Sequence, residues 1–217
     1  GNAIRQLPRS LGLLNQLQEL QVQENQLTNL PVSIGLLSQL QSLNANFNQL
    51  SEIPTSIHQL KSLKECYLNN NQIQYFPPGL APLSKLEVLF LHENKLVSIP
   101  DSCIKGLKGL KTLTANNNQI SKLPDTLQFM KNLMRLYLSH NKISTVPPTI
   151  GLLKKLLILS LDHNQLSTLP NEIGALKKIT YLFLKDNEID ALPPCFYKVK
   201  FETHPLNKAF QMHSVLL

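Results

Sequence analysis

A column of asparagines is the sequence feature that most constrains the fold of this chain. They recur every 23 residues, with a single step of 24 between Asn94 and Asn118. The column comprises Asn2, Asn25, Asn48, Asn71, Asn94, Asn118, Asn141, Asn164 and Asn187. A fixed period of this length is typical of repeat architectures, in which each repeat is one structural unit stacked on the next. The chain is therefore predicted to be a stack of similar units.

The repeating unit is clearest over residues 133–155, which read LMRLYLSHNKISTVPPTIGLLKK and follow the pattern LxxLxLxxNxIxxVPxxIxxLxx. Alternating apolar residues at Leu136 and Leu138 predict a short strand with one buried face. Equivalent strands run in the same direction, so the predicted sheet is parallel. Asn141 follows the strand, and its amide has both donors and an acceptor. We expect it to satisfy backbone groups of the turn that no strand pairs.

Prolines mark where each unit leaves the turn. Nine of the 14 prolines stand in one column: Pro8, Pro31, Pro54, Pro77, Pro100, Pro124, Pro147, Pro170 and Pro193. Proline fixes φ and has no N–H to donate, which favours the start of a return segment at this point. Apolar pairs such as Ile150 with Leu153 are predicted to hold that segment against the core. One unit cannot bury its own apolar face, so the stack is predicted to be a solenoid.

The repeat register predicts a single domain over residues 1–217. Residues 1–16 form a partial N-terminal repeat, which either caps the solenoid or continues a longer one, and residues 17–201 form eight repeats. Residues 202–217 are predicted to be a helical C-terminal cap, rather than a membrane or partner helix. Their apolar stripe at helical spacing comprises Leu206, Ala209, Phe210, His213 and Leu217. The fourth repeat has one extra residue within Asp101–Cys103, which we interpret as a tolerated insertion on the outer return segment that leaves the strands in register. The sequence SCIKGLKGL at this point is compatible with a helical turn.

These residues resemble the intracellular leucine-rich repeat proteins whose units read LxxLxLxxNxLxxLPxxIxxLxx. That class includes Ras-suppressor-like proteins, Scribble/Erbin-type scaffolds and related plant Ras-group proteins, and similar repeats occur in bacterial secreted effectors. The resemblance spans roughly residues 2–199. It implies an α/β fold, a leucine-rich repeat solenoid shaped as a curved horseshoe, with a parallel concave sheet and an irregular or helical convex side. Such proteins bind other proteins through the concave sheet, and the repeat itself implies no chemistry.

Cysteine usage favours an intracellular protein. Extracellular members of the repeat family usually carry clustered cysteines in their caps, whereas Cys66, Cys103 and Cys195 are scattered and have neither metal-site nor redox spacing. No N-x-S/T sequon occurs, and no apolar run approaches the roughly 18 residues of a membrane span. We therefore expect a cytoplasmic protein, or one in the host cytoplasm if it is a secreted effector, with no integral membrane segment and no cofactor.

Motifs of catalysis are absent from the sequence: it has no P-loop, GxSxG, HExxH or kinase signature. One cluster has a chemical alternative. His140, His163 and Asp186 precede the asparagine in three adjacent repeats, and parallel strands lie about 4.8 Å apart. A solvated strand end is the favoured interpretation, and a metal site or a pH-sensitive patch is the alternative.

Lysines concentrate in the segment that leads into each strand. This lysine ridge comprises Lys61, Lys85, Lys108, Lys131, Lys154, Lys155, Lys177 and Lys178, within a chain of net charge +7. Its simplest role is solubility and avoidance of solenoid stacking. The functional alternatives are attraction to an acidic partner, to membrane headgroups or to RNA. Nucleic acid is the least favoured, because the lysines are not interleaved with aromatic residues or arginine.

The residues predicted to face a partner stand between and beside the buried strand positions. They are Tyr67, Phe90, His92, Glu93, Arg135, Tyr137, Asp162, Tyr181, Phe183, Lys185 and Asp186. Uncovered outward aromatics are unusual, although Tyr67 and Phe90 are close enough in the predicted sheet to support each other across strands.

The sequence therefore predicts a non-enzymatic module that binds a partner protein on the concave sheet, in scaffolding or signalling. The alternatives are a bacterial effector that binds a host protein, and the substrate-recognition domain of a larger enzyme whose catalytic module lies outside this chain.

Overall fold

The structure, a computed structural model, describes residues 2–196. Eight short strands form one open parallel sheet in chain order. The strands are β1 Glu19–Gln21, β2 Ser42–Asn44, β3 Glu65–Tyr67, β4 Val88–Phe90, β5 Thr112–Thr114, β6 Arg135–Tyr137, β7 Ile158–Ser160 and β8 Tyr181–Phe183. Successive strands pair without a register shift, so that Leu136 lies between Leu113 and Leu159. The solenoid and the parallel sheet predicted from the repeat are confirmed.

Return segments on the opposite side of the core are mostly 3₁₀ turns. They span Arg9–Leu13, Val32–Leu36, Thr55–Gln59, Pro78–Leu80, Leu127–Phe129, Pro148–Leu152, Asn171–Ala175 and Pro194–Phe196. In the sixth repeat Pro147 has the extended backbone of a helix N-cap (φ −69°, ψ 146°). Its carbonyl accepts a hydrogen bond of 3.0 Å from the Ile150 N–H. The proline column therefore starts the return segments, as predicted, because its fixed φ suits that position.

The return segment of the fourth full repeat contains a helical turn, α1, over Asp101–Ile104. The Asp101 carboxylate accepts hydrogen bonds from the backbone N–H (3.0 Å) and the hydroxyl (2.6 Å) of Thr126 in the next repeat. These bonds lower the pKa of Asp101. Two residues after α1, a Cβ at Gly106 would overlap the Ala81 carbonyl oxygen. Glycine at this position lets the backbone of the enlarged repeat lie against its neighbour.

One continuous core runs the length of the described repeats. The strand leucines are almost wholly buried. Cys66 replaces the leucine in β3, and Ala45 and Ala115 stand where Leu138 follows β6; all three have no exposed surface. Burial raises the pKa of the Cys66 thiol to about 12, so this cysteine acts as a small apolar side chain. In residues 2–196 no helix is both long and apolar enough to cross a bilayer. The predicted helical cap at residues 202–217 lies outside the described residues.

The asparagine column forms the ladder that the sequence predicted. The Asn141 side-chain N–H groups donate to the carbonyl oxygens of Leu138 (3.0 Å) and, in the preceding repeat, of Ala115 (2.9 Å). Its Oδ1 accepts a 2.9 Å hydrogen bond from the Ile120 N–H. Asn48, Asn71, Asn94, Asn118, Asn164 and Asn187 make the same bonds one repeat apart. Each amide therefore joins two neighbouring repeats.

Replacing Asn141 by alanine is predicted to lower the free energy of unfolding by about 1–3 kcal/mol, because it leaves buried backbone groups without partners. Chemical denaturation measures the loss. Asn171→Ala is the matched control, since Asn171 is exposed at the start of a return segment. Equal stability of the two variants would contradict the structural role of the ladder.

Candidate functional site

The candidate site is the face of the sheet that turns away from the core. In β6 the middle residue, Leu136, is buried, whereas Arg135 is exposed and Tyr137 is half-buried. β8 repeats this pattern with Tyr181, Leu182 and Phe183. Side chains alternate across a strand, and the register is constant, so the outer residues form columns along the sheet. We call these columns, with the polar residues two and three positions after each strand, the concave face.

The first aromatic cluster on the concave face joins Tyr67, Phe90 and His92. The rings of Tyr67 and Phe90 meet edge to face with centroids 5.0 Å apart. His92 lies 5.7 Å from Phe90, in a tilted arrangement. The Tyr67 hydroxyl donates to a carboxylate oxygen of Glu65 at 3.1 Å. Cross-strand support between Tyr67 and Phe90 is therefore present, and the cluster also forms a preorganised aromatic surface.

The surroundings of His92 shift the pKa of its imidazole. Its Nδ1 lies 2.8 Å from the Thr114 hydroxyl oxygen. Burial lowers the His92 pKa, and the nearby Glu93 carboxylate opposes this effect only in part. The imidazole is consequently neutral at pH 7 and offers both a donor and an acceptor nitrogen. Burial also raises the pKa of Tyr67, and the Glu65 charge and hydrogen bond add to that shift.

A second aromatic cluster lies in the last strand. Tyr181 and Phe183 have parallel rings with centroids 6.2 Å apart, and Tyr181 is 44% exposed. Tyr137 stands between the two clusters, with Thr114 and Ser160 as its register neighbours. It makes no ring–ring contact within residues 2–196. Nothing in the described sheet therefore covers Tyr137 with another ring.

Charged residues after the last two strands are held by one another. One Asp162 oxygen accepts the backbone N–H of Lys185 at 2.8 Å, and the other accepts the Ser160 hydroxyl at 3.3 Å. The Asp186 carboxylate lies 3.2 Å from His163 Nε2 and 3.7 Å from Lys185 Nζ. These side chains thus form one mixed-charge group beside Tyr181 and Phe183. Arg135 makes no ion pair with a described residue.

The residue before each ladder asparagine adopts left-handed backbone, which the sequence reasoning missed. Among residues 2–196 eight such positions have φ of 50–54°: Glu24, Phe47, Asn70, Glu93, Asn117, His140, His163 and Asp186. Asn, Asp and His are enriched in this conformation, and that enrichment in the column was the available signal. These left-handed residues turn the chain sharply three positions after each described strand.

His140, His163 and Asp186 do come together, but as a stack. The two imidazole rings are nearly parallel, with centroids 4.0 Å apart and planes at 12°. The Asp186 carboxylate contacts the Nε2 atom of His163. No group of three or more His, Cys, Asp or Glu side chains is placed to hold a metal ion in the part of the chain that the structure describes.

Comparison with known families matches this geometry. A family profile described as Leucine rich repeat matches residues 84–143 and 131–189, and a second profile with the same description matches residues 39–60. Together these matches cover more than half of the chain. The protein belongs to the leucine-rich repeat family, whose members are generally binding modules. A comparison with curated protein sequences finds no match.

Solved structures of the same fold come from bacteria and plants. A leucine-rich repeat protein of Leptospira interrogans is 38% identical, with a TM-score of 0.84 over 87% of this chain and 48% of that one. PEPR1, solved with AtPEP1, is 36% identical, with a TM-score of 0.76 over 87% and 27% of the two chains. The ectodomain of the Arabidopsis thaliana receptor kinase GASSHO1/SCHENGEN3, in complex with CASPARIAN STRIP INTEGRITY FACTOR 2, is 29% identical. Its TM-score is 0.68, over 88% of this chain and 26% of the receptor. The chain spans about half of the bacterial protein and about a quarter of each of the other two chains.

Acidification is predicted to destabilise the protein partly through His92. Its folded pKa lies below the ordinary value of 6.5, so below that pH the unfolded chain takes up the proton first. The stabilising contribution is complete above pH 6.5 and is lost as the pH falls through the folded pKa. Urea unfolding from about pH 7.5 to about pH 5 should show a weaker pH dependence for His92→Asn than for the unsubstituted chain.

The exposed His58 in a return segment gives the control, His58→Asn. Imidazole NMR resonances give the His92 pKa directly. An imidazole that titrates at or above 6.5 would contradict the burial assigned to it.

Proposed function

We propose that this protein is a non-enzymatic interaction module that binds a partner protein or peptide on its concave face, in scaffolding or signalling. One observation carries the proposal. Every described strand buries its middle residue in the core, and the other face presents two aromatic clusters with Tyr137 and Arg135 between them. The side chains of this face do not pack in the core and can therefore contact a partner. Neighbouring strands hold them in regular columns.

The chemistry of the concave face suits a protein partner. Tyrosine and arginine are over-represented among residues that dominate binding energy, above all at the centre of a contact patch. Here Tyr137 and Arg135 hold the centre, and the aromatic clusters of β3–β4 and β8 flank them. Charged groups around Asp162, Lys185 and Asp186 give one end of the face a defined pattern, and such patterns fix orientation.

Related structures support the choice of a polypeptide ligand. PEPR1 was solved with AtPEP1, and the GASSHO1/SCHENGEN3 ectodomain with CASPARIAN STRIP INTEGRITY FACTOR 2. Both PEPR1 and the GASSHO1/SCHENGEN3 ectodomain share the fold of this chain over most of its length. A binding role without chemistry also agrees with a sequence that carries no signature of a nucleotide, metalloprotease or serine hydrolase site.

The proposed setting is the cytoplasm, or the cytoplasm of a host cell if the protein is a secreted bacterial effector. Scattered cysteines and the absence of N-x-S/T sequons support it. A second role is favoured by the lengths of the related proteins. Since the chain spans only 26% of a receptor kinase ectodomain and 48% of the bacterial protein, it also suits the recognition part of a larger protein, including an enzyme.

Truncation of concave aromatics is predicted to weaken partner binding without unfolding the protein. Tyr137→Ala and Phe90→Ala should each cost about 2 kcal/mol or more in binding if they are anchors. Both side chains lie outside the core, so each variant should remain folded. The thermal midpoint should change little for Tyr137→Ala and fall slightly for Phe90→Ala, which loses its ring contacts with Tyr67 and His92. Tyr75→Ala is the matched control: Tyr75 is 70% exposed and lies before a return segment, away from the sheet.

The unsubstituted chain and the three variants are immobilised and used for affinity capture from cell extract. Candidate partners are proteins captured by the unsubstituted chain and by the Tyr75 variant but not by the two concave variants. Titration of each purified candidate then gives the affinities. Undiminished affinity of folded Tyr137→Ala and Phe90→Ala for the captured partner would place binding elsewhere on the solenoid.

A further inference from the structure

The lysine ridge is continuous and exposed. Its residues lie between the end of a return segment and the start of the following strand, in six successive repeats. All eight members are exposed: Lys61, Lys85, Lys108, Lys131, Lys154, Lys155, Lys177 and Lys178. The ridge precedes the strands and therefore runs along the edge of the sheet formed by the N-terminal ends of the strands. The left-handed residues follow the strands and lie along the edge formed by their C-terminal ends.

Carboxylates do not neutralise this ridge. Among the described acidic residues, Glu87 alone lies in a segment that leads into a strand, and its carboxylate pairs with Lys111 at 2.7 Å. The ion pairs within residues 2–196 involve Lys111, Lys122 and Lys185, none of which belongs to the ridge. No ridge lysine makes an ion pair with a described residue, and the ridge therefore creates a one-sided positive potential.

Apolar side chains are exposed beside the densest part of the ridge. Phe129 is 37% exposed and Leu152 is 51% exposed, each two residues before a ridge lysine. Leu152, Gln128 and three lysines, Lys131, Lys154 and Lys155, line a shallow open depression. Aromatic and aliphatic side chains interspersed with lysine are the composition of surfaces that enter the headgroup region of a bilayer.

Hydrogen bonds hold some of these lysines in place. The Lys154 ammonium donates to the Gly151 carbonyl oxygen at 2.7 Å. Lys155 donates to the side-chain oxygen of Asn132, one repeat earlier, also at 2.7 Å. Both lysines are exposed despite these bonds, so the hydrogen bonds fix the positions of these two cationic groups at the surface.

We propose that this edge docks the protein on an anionic lipid bilayer, with Phe129 and Leu152 inserted among the headgroups and the ridge lysines beside lipid phosphates and carboxylates. Two features favour a membrane over an acidic protein. The ridge consists of lysine, whose point charge suits a diffuse negative surface, whereas bidentate recognition of individual carboxylates favours arginine. The neighbouring apolar side chains gain from a bilayer, which offers hydrocarbon directly beneath its charge.

Because the ridge and the concave face are separate surfaces, the membrane and a partner protein can be bound together. The inference stands independently of the partner proposed for the concave face.

Co-sedimentation of the full chain with vesicles tests the proposal. Vesicles of phosphatidylcholine with phosphatidylserine should bind the protein, and vesicles of phosphatidylcholine alone should not. Reversal of three ridge lysines, Lys131→Glu, Lys154→Glu and Lys155→Glu together, should weaken binding about tenfold or more and flatten its salt dependence. The double variant Phe129→Ser and Leu152→Ser keeps every charge and should weaken binding about fivefold.

The matched control reverses three lysines away from the ridge, Lys95→Glu, Lys122→Glu and Lys142→Glu. It has the same net charge as the ridge variant and should bind nearly as well as the unsubstituted chain. Circular dichroism confirms that each variant is folded.

Three outcomes overturn the proposal: no binding of the unsubstituted chain to the anionic vesicles, equal loss in the control variant, or no effect of the apolar double variant. In the last case, competition by soluble polyglutamate would assign the ridge to an acidic protein partner.

Discussion

The hydrogen bonds of the ladder asparagines are the interaction on which the rest of the structure depends. A left-handed residue lies three positions after each strand, and the chain then turns into the core with backbone groups that no strand can pair. The amide of Asn141 satisfies such groups in its own repeat and in the one before it. Because one side chain joins two repeats, it sets their spacing and their register together.

That register produces both the concave face and the lysine ridge. With no shift between strands, Tyr137 stands beside Thr114 and Ser160, and each outer position of a repeat becomes one member of a column. The same constancy places every segment before a strand on a single edge, where the lysines accumulate. A slip of one residue would exchange buried and exposed side chains, so the ladder protects the concave face as well as the core.

The sequence allowed the repetitive parts of the fold to be predicted, because their residues have one role in every repeat. Asn141, Pro147 and Leu136 each repeat a pattern whose backbone or packing requirement is plain. The helical turn at Asp101–Ile104 was also predictable, since an added residue on the outer side leaves the strands in register. The cap predicted for residues 202–217 remains a prediction.

Contacts between particular side chains were less accessible to sequence reasoning. The Tyr67–Phe90 pair was expected because the two residues are neighbours in one column, on adjacent strands. The parallel rings of Tyr181 and Phe183 depend instead on rotamers within one strand. His140 and His163 were expected to be near each other, and their rings are stacked. Both residues have left-handed backbone, which the periodicity did not reveal. The assignment of individual concave residues to partner binding remains a prediction.

Site-specific photo-crosslinking tests most directly whether the concave face holds the partner. A benzophenone amino acid in place of Tyr137 keeps an aromatic side chain at the centre of the face, and the same replacement at Tyr75 provides an exposed aromatic site away from the sheet. Irradiation in cell extract should give a discrete protein adduct from position 137 and none from position 75. An adduct from position 75 alone would show that the partner binds outside the concave face.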